Sequence, residues 1–267
     1  MEFVVVDKPR PHVTLVTLNR PERMNAMAFD VMVPLRDVLQ EISHDNSTRV
    51  VVVTGAGRAF CAGADLEDAG IVPRIDGLTV PTIALRAMEI LDDVILGMRR
   101  MHQPVICAVN GPAIGGGFCL SLAGDIRVAA EDAWFRAAGI NNGLTSTELG
   151  ISYLLPRAIG SSRAFEIMLS GRDVDAAEAE RIGLVSRVVA SDALLDTCYE
   201  MAERIIGYSH VGVESTKRLL WSSLDASSLS AHMDHEGYAQ LYVRLTTQNF
   251  EEAVRARREK RPPDFKD

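Results

Sequence analysis

Long apolar runs are missing from this chain, and no hydrophobic stretch approaches the ~18–20 residues that a membrane-spanning helix requires. The first residues, Met1-Glu2-Phe3-Val4, are acidic and lack an apolar core, so no signal peptide is expected. Basic charge is also short. Against 36 acidic residues stand 28 lysines and arginines, a formal net charge of -8. That balance argues against a nucleic-acid partner, because phosphate binding needs a basic footprint. A local basic cluster can still hold an anionic ligand. Cysteine is scarce, and Cys61, Cys107, Cys119 and Cys198 show neither metal-site spacing nor a short disulfide framework. They suit a reduced, cytoplasmic setting. What the chain does have is ordinary globular material, 47% hydrophobic and 24% charged. At 267 residues it can bury roughly 70–75% of its unfolded surface and needs no staples.

Apolar patterning gives the organisation. Residues 2–6 and 12–18 read as strands joined across Pro9-Arg10-Pro11. Val31, Leu35, Val38, Leu39 and Ile42 then form a helical stripe over 29–43. Val50-Val51-Val52-Val53 is a fully apolar strand stopped by Gly55, as a sheet covered on both faces requires. A second round follows, with a helix over 82–101, a buried strand over 105–109, a helix near 116–123 and a short strand over 126–129. A third has helices over 162–170 and 175–181 and a strand over 184–189. This order predicts a layered α/β spiral rather than one doubly wound sheet. From Ser191 onward the pattern is helical, about four helices with caps at Ser191/Asp192 and Ser228/Ser230. The expected division is a core over 1–190 and a helical region over 191–267. The helical region serves either as an oligomer interface or as packing for its own core.

Two glycine-rich loops leave buried strands. The first, Gly55-Ala56-Gly57-Arg58-Ala59-Phe60-Cys61-Ala62-Gly63-Ala64-Asp65-Leu66, has only small residues at 62–64, where a ligand can approach the backbone. In the second, Ile114-Gly115-Gly116-Gly117-Phe118, glycines open a helix whose first N–H groups favour negative charge. Neither the spacing of a dinucleotide fingerprint nor a Lys-Ser/Thr pair accompanies it. Two amide-presenting loops are what a two-donor oxyanion hole requires.

These loops, with Gln103-Pro104-Val105-Ile106-Cys107-Ala108-Val109-Asn110-Gly111-Pro112, Asp125-Ile126-Arg127, Leu155-Pro156-Arg157-Ala158-Ile159-Gly160 and Ala176-Ala177-Glu178-Ala179-Glu180-Arg181-Ile182-Gly183-Leu184-Val185, resemble the enoyl-CoA hydratase/isomerase (crotonase) family over roughly residues 3–260. The resemblance implies a ββα spiral core, a C-terminal α-helical trimerisation region, and a homotrimer or hexamer. It implies an acyl-CoA thioester substrate, with no metal and no cofactor beyond coenzyme A itself. The oxyanion donors would be the amides of Ala64 and Gly116. Substrate contacts would come from Arg23, Ala26, Ala62 and Asp65, the last two near the adenine, and from Gly115 and Gly117.

Hydratases of this family carry two glutamates, which fall here on Cys119 and in the stretch Phe135-Arg136-Ala137-Ala138-Gly139. Both acids are absent. Cys119 reads as packing, since a thiol in apolar surroundings stays protonated and inert. Glu148, eight residues before Pro156, resembles the acid with which the isomerases move a proton between carbons. Asp65 is expected to cap the following segment and Asp125 to be structural. His232 and His235 read as a solvated helix face, and the basic run Arg255, Arg257, Arg258, Lys260, Arg261 as a charged helix end. Residues 67–85 should form an apolar flap over the acyl tunnel. Hydration or isomerisation of an enoyl-CoA is the leading expectation. A silent acyl-CoA-binding paralogue and a thioester hydrolase or carbon–carbon lyase are the alternatives.

Overall fold

The computed structural model describes residues 2–267. Along the chain, β1 (Val4–Arg10) and β2 (Val13–Leu18) precede α1 (Phe29–His44), β3 (Val50–Gly55), α2 (Val80–Arg100), β4 (Val105–Val109), β5 (Ala113–Ile114) and α3 (Gly116–Ala123). Next come β6 (Ile126–Ala130), β7 (Trp134–Arg136), α4 (Ile151–Ile159), α5 (Ser161–Ser170), β8 (Val174–Asp175), α6 (Ala176–Arg181) and β9 (Arg187–Val189). The main sheet runs β1-β2-β3-β4-β6-β9, with only the β1–β2 pair antiparallel. A small second sheet runs β5-β7-β8.

The valine run of β3 explains why the sheet is sandwiched. Val51 and Val53 face a large core shared with Leu35 and Leu39 of α1, Met98 of α2 and Phe118 of α3. Val50 and Val52 face the other way, against Leu194, Cys198, Tyr199 and Ala202. Those four belong to α7 (Leu194–Ile206), which covers the opposite side of the sheet.

Several elements differ from the expectation. Strand β1 reaches Arg10 and so includes Pro9, at a register break on the edge of the sheet, where a missing N–H is tolerated. β9 is limited to Arg187–Val189, because the Leu184 and Val185 amides close the end of α6 by donating to the Ala179 carbonyl at 2.8 and 3.3 Å. Helix α4 was not expected, and it holds Pro156 in its interior. Burial of Ile151, Leu154, Leu155 and Ile159 outweighs the one amide that proline removes.

After α7 come α8 (His210–Ser223), α9 (Leu229–Thr246) and α10 (Asn249–Glu259). Ser209 and Ser228 cap α8 and α9, and a short 3-10 turn over Ser191–Ala193 leads into α7. Of α8 only Lys217 is buried, and of α9 only His232. Lys217 is the peg that fixes α8 to the core. Its Nζ donates to the carbonyls of Met98 (2.9 Å) and Gln103 (2.8 Å) and pairs with Asp125 (2.9 Å). Asp125 also accepts from the Val105 amide at 2.6 Å and from the Trp221 indole at 2.5 Å. The aspartate is structural, as expected.

Candidate active site

The first loop is shaped by a strand-like contact with residues 24–27. The Ala62 amide donates to Met24 O at 3.0 Å, Met27 N donates to Gly63 O at 2.7 Å, and Asp65 N donates to Met27 O at 3.0 Å. Met27 and Ala64 therefore form a parallel bridge. In such a bridge the central residue's own N–H points away from its partner. Ala64 is exposed, and no acceptor among the described residues takes its amide.

The second loop lies directly beside the first. Cys61 and Ala113 form another parallel bridge, and Ile114 N donates to Cys61 O at 3.0 Å. Gly115 then turns the chain with φ 50° and ψ -119°, a conformation open to glycine alone, and its amide donates to Arg136 O at 2.8 Å. Gly116 opens α3 with an amide that has no partner among the described residues. A Cβ placed on Gly63 would lie 3.5 Å from the Gly116 nitrogen, so the two loops are in contact where their free amides emerge. Gly117 sits inside α3 against the Cys61 carbonyl, too close for any side chain.

Glu148 reaches the same place from a third direction. A Cβ on Gly115 would lie 3.3 Å from its Oε1 and 3.7 Å from the Ala138 Cβ, which sets the carboxylate beside the turn that presents Gly116. Glu148 is half-buried, and burial alone pushes its carboxyl above the usual glutamate range. No cation or hydrogen-bond donor among the described residues engages that carboxylate. Cys119 is fully buried on α3, and its thiol donates to the Glu148 backbone carbonyl at 3.5 Å. Burial, together with the nearby Glu148 charge, pushes the thiol well above its ordinary range. Such apolar surroundings suit a packing residue, as read from the sequence.

The residues expected on the coenzyme side form a tight polar wall. The Asp65 carboxylate is buried and receives Arg20 Nη1 at 2.8 Å and two donors from Arg23. It also accepts the amides of Glu67 and Asp68 at 3.0 Å each, the capping role read from the sequence. Arg23 beside it holds its carboxyl well below the usual carboxylate range, while Asp65 and Glu67 push the Arg23 guanidinium up. Ala26 is buried behind this wall and Ala62 is half-buried at its edge. Buried Asn25 joins the wall to the first loop, its Nδ2 donating to Ala56 O at 2.9 Å and Ala59 O at 2.8 Å. Outward from Asp65, Leu66 is largely exposed, as are Ile71 and Val80 in the 67–85 segment expected as a flap, of which residues from Val80 on belong to α2.

Other candidates lie apart from this cluster. His232 is buried, not solvated as expected, and it pairs with Glu236 at 3.5 Å. Among the described residues no group of three His, Cys, Asp or Glu side chains could hold a metal ion. Arg255 and Arg261 of the basic run are both tied to Glu252. A cavity of about 780 Å³ lies between the core and α8, lined by Ile126, Tyr208, Phe265 and the Asp125–Lys217–Trp221 group among others, and Arg23, Ala64, Asp65, Gly116 and Glu148 are not among its lining residues. Sequence reasoning missed Ser146, which is buried in the loop before Glu148 and bonds to both Ile140 N and Ala137 O. Its only signal was a serine between a Gly and the Glu, too common to single out. The pairing of Arg20 with Asp65 was missed too.

Residues 10–267 match the family model described as Enoyl-CoA hydratase/isomerase. A protein named "Probable enoyl-CoA hydratase EchA12", from Mycobacterium tuberculosis, is 68% identical over 267 residues, which is 100% of this chain and 94% of that protein. A solved structure of a probable enoyl-CoA hydratase/isomerase from Mycobacterium abscessus is 67% identical, with a TM-score of 0.96 over 100% of this chain and 99% of the other. A structure described as a monofunctional enoyl CoA isomerase from M. smegmatis is 62% identical, with a TM-score of 0.75, covering 87% of this chain and 99% of its own. The expected α/β core of crotonase type with a helical C-terminal region is borne out by these likenesses.

Proposed function

The chain belongs to the enoyl-CoA hydratase/isomerase family, and on that premise we propose that it shifts the double bond of an enoyl-CoA, with Glu148 as the single proton carrier. The family acts on acyl-CoA thioesters. In the proposed reaction the Glu148 carboxylate takes a proton from C2 of a 3-enoyl-CoA. The freed electron pair becomes part of a dienolate, with its negative charge on the thioester oxygen. The Ala64 and Gly116 amides receive that charge, and losing one such donor typically costs on the order of 3 kcal/mol. Glu148 then returns the proton to C4, leaving the conjugated 2-enoyl-CoA. One proton moves and nothing is oxidised or reduced, so the reaction calls for no cofactor beyond the coenzyme A carried by the substrate. The wall of Arg23, Ala26, Ala62 and Asp65 would take the coenzyme, with the backbone of Gly115 and Gly117 against the thioester.

The observation that carries this reading is a half-buried, unpartnered carboxylate beside two free amides, with no acid among the described residues at either of the two positions where the hydratases carry theirs. Adding water ordinarily uses two carboxylates, whereas one suffices to shuttle a proton. Position 119 holds a buried thiol. At Gly139 a Cβ would lie 1.9 Å from the Thr145 carbonyl oxygen, so a glutamate there would force the backbone to shift. The isomerase described from M. smegmatis supports the same reading. Hydration is the second reading, favoured by the name of the M. tuberculosis relative.

The test is to supply the purified protein with 3-enoyl-CoA and 2-enoyl-CoA and to repeat the assay with Glu148→Gln. Isomerisation of the 3-enoyl substrate should dominate, and the variant should lose roughly 100-fold in kcat with KM nearly kept. Full activity of the variant overturns the assignment. Water addition at comparable rate favours the hydratase, and binding without turnover a silent paralogue. We also place the protein in the cytoplasm as a homotrimer or hexamer; no helix among the described residues is long and apolar enough to cross a membrane.

A further inference from the structure

The loop that carries Glu148 does not hold its shape by local preference. Gly143 (φ 72°), Leu149 (φ 46°) and Gly150 (φ 79°) all lie in the left-handed region, and Leu149 does so with a branched side chain. Such a path persists only where the surroundings over-determine it.

Two side chains outside the proton chemistry do this. Ser146 is buried, and its Oγ accepts the Ile140 amide at 3.0 Å and donates to the Ala137 carbonyl at 3.2 Å. It stitches the segment before Glu148 to the turn that brings Ala138 against the site. Cys119 works from the other side. Its thiol donates to the Glu148 carbonyl oxygen, which also accepts Ile151 N–H at 2.9 Å. Cys119 sits one helical turn into α3, whose first residue is Gly116, and its own amide donates to Gly115 O at 3.1 Å. The thiol therefore ties the residue bearing the carboxylate to the helix bearing a free amide. A thiol is a weak donor, but here it acts between two groups whose relative placement sets the reaction geometry.

We propose that Cys119 and Ser146 are positioning residues that together hold the Glu148 carboxylate over Gly115. This rests on the reading of Glu148 as the proton carrier.

Cys119→Ala, Cys119→Ser and Ser146→Ala, each made alone and in a Glu148→Gln background, test it in the full-length protein. Misplacing a reacting group by a fraction of an ångström is costly, so each alanine variant should lose ~10-fold in kcat with KM changed less than about 2-fold. Cys119→Ser, whose hydroxyl can make the same bond, should recover most of the rate. In the Glu148→Gln background neither alanine should cost more, because there is no base left to place. Thermal unfolding of every variant separates lost positioning from lost fold. Wild-type kcat in both alanine variants, with Glu148→Gln inactive, overturns the proposal and leaves the Glu148 assignment standing. An undiminished loss in the Glu148→Gln background overturns it too, in favour of a purely structural role. Full activity of Glu148→Gln itself removes the assignment and this proposal together.

Discussion

Glu148 sets activity and stability against each other as pH changes. Burial, with no charged partner, raises its carboxyl above the ordinary value of 4.5. As the proposed base it must be ionised, so kcat/KM should fall as pH drops through that raised value. Stability runs the other way. The fold favours the protonated form, so this group's contribution is complete below 4.5 and is lost as pH rises through its folded value. Glu148→Gln should therefore melt at a higher temperature than the parent at pH 7, with the gap closing in acid. A lower melting temperature at pH 7 would contradict the desolvation argument. The family resemblance, carried by two glycine-rich loops and a Glu-to-Pro spacing, was enough to name Ala64, Gly116 and Glu148 as candidates, and the structure brings their loops together. The bond from Cys119 to Glu148 was not legible, since it spans 29 residues and depends on the path of a left-handed loop. The capping role of Asp65 could be read, but not its burial under two arginines.

Elements with strong periodicity were the readable ones. β3 and β4 stood out as unbroken apolar runs, and α1 by its stripe. The strands β5, β7 and β8 are two or three residues long and carry no period at all. α4 was hidden because Pro156 reads as a helix stop, whereas the burial of its apolar face keeps the helix intact. The attachment of α8 is similarly invisible, because a lysine on a helix normally faces water. Here Lys217 is buried against Asp125 and two carbonyls, and burial lowers its ammonium below the usual lysine range. Removing one partner of a buried pair strands the other, at a typical cost of about 3–5 kcal/mol. Lys217→Ala should show a loss of that size in denaturant unfolding, and a change under about 1 kcal/mol would mean that α8 is held by other contacts.

For the molecule as a whole, the C-terminal helices leave much apolar surface uncovered. On α9, Leu229 and Leu245 are 77% and 78% exposed, and Met233 and Leu241 lie between them at four-residue spacing on the same stripe. A stripe of this kind marks an association surface more often than a solvated face. If it carries assembly, the parent should run in light scattering at a multiple of three 29.1 kDa chains. Leu241→Glu with Leu245→Glu should shift it toward the monomer. An unchanged mass in the double variant would move the interface elsewhere. The helical character of this region was plain in the sequence, but how little of it the chain covers by itself was not. Gly139 has a reach beyond its own loop. Because the Thr145 carbonyl occupies the space a side chain would need there, an acid placed at that position must come with a shift of the backbone. On the proposed mechanism, one substitution at Glu148 removes the proton carrier. A second acid at Gly139 requires the backbone around Thr145 to be rerouted first, so on that mechanism the one-acid arrangement is easy to lose and hard to convert into a two-acid one.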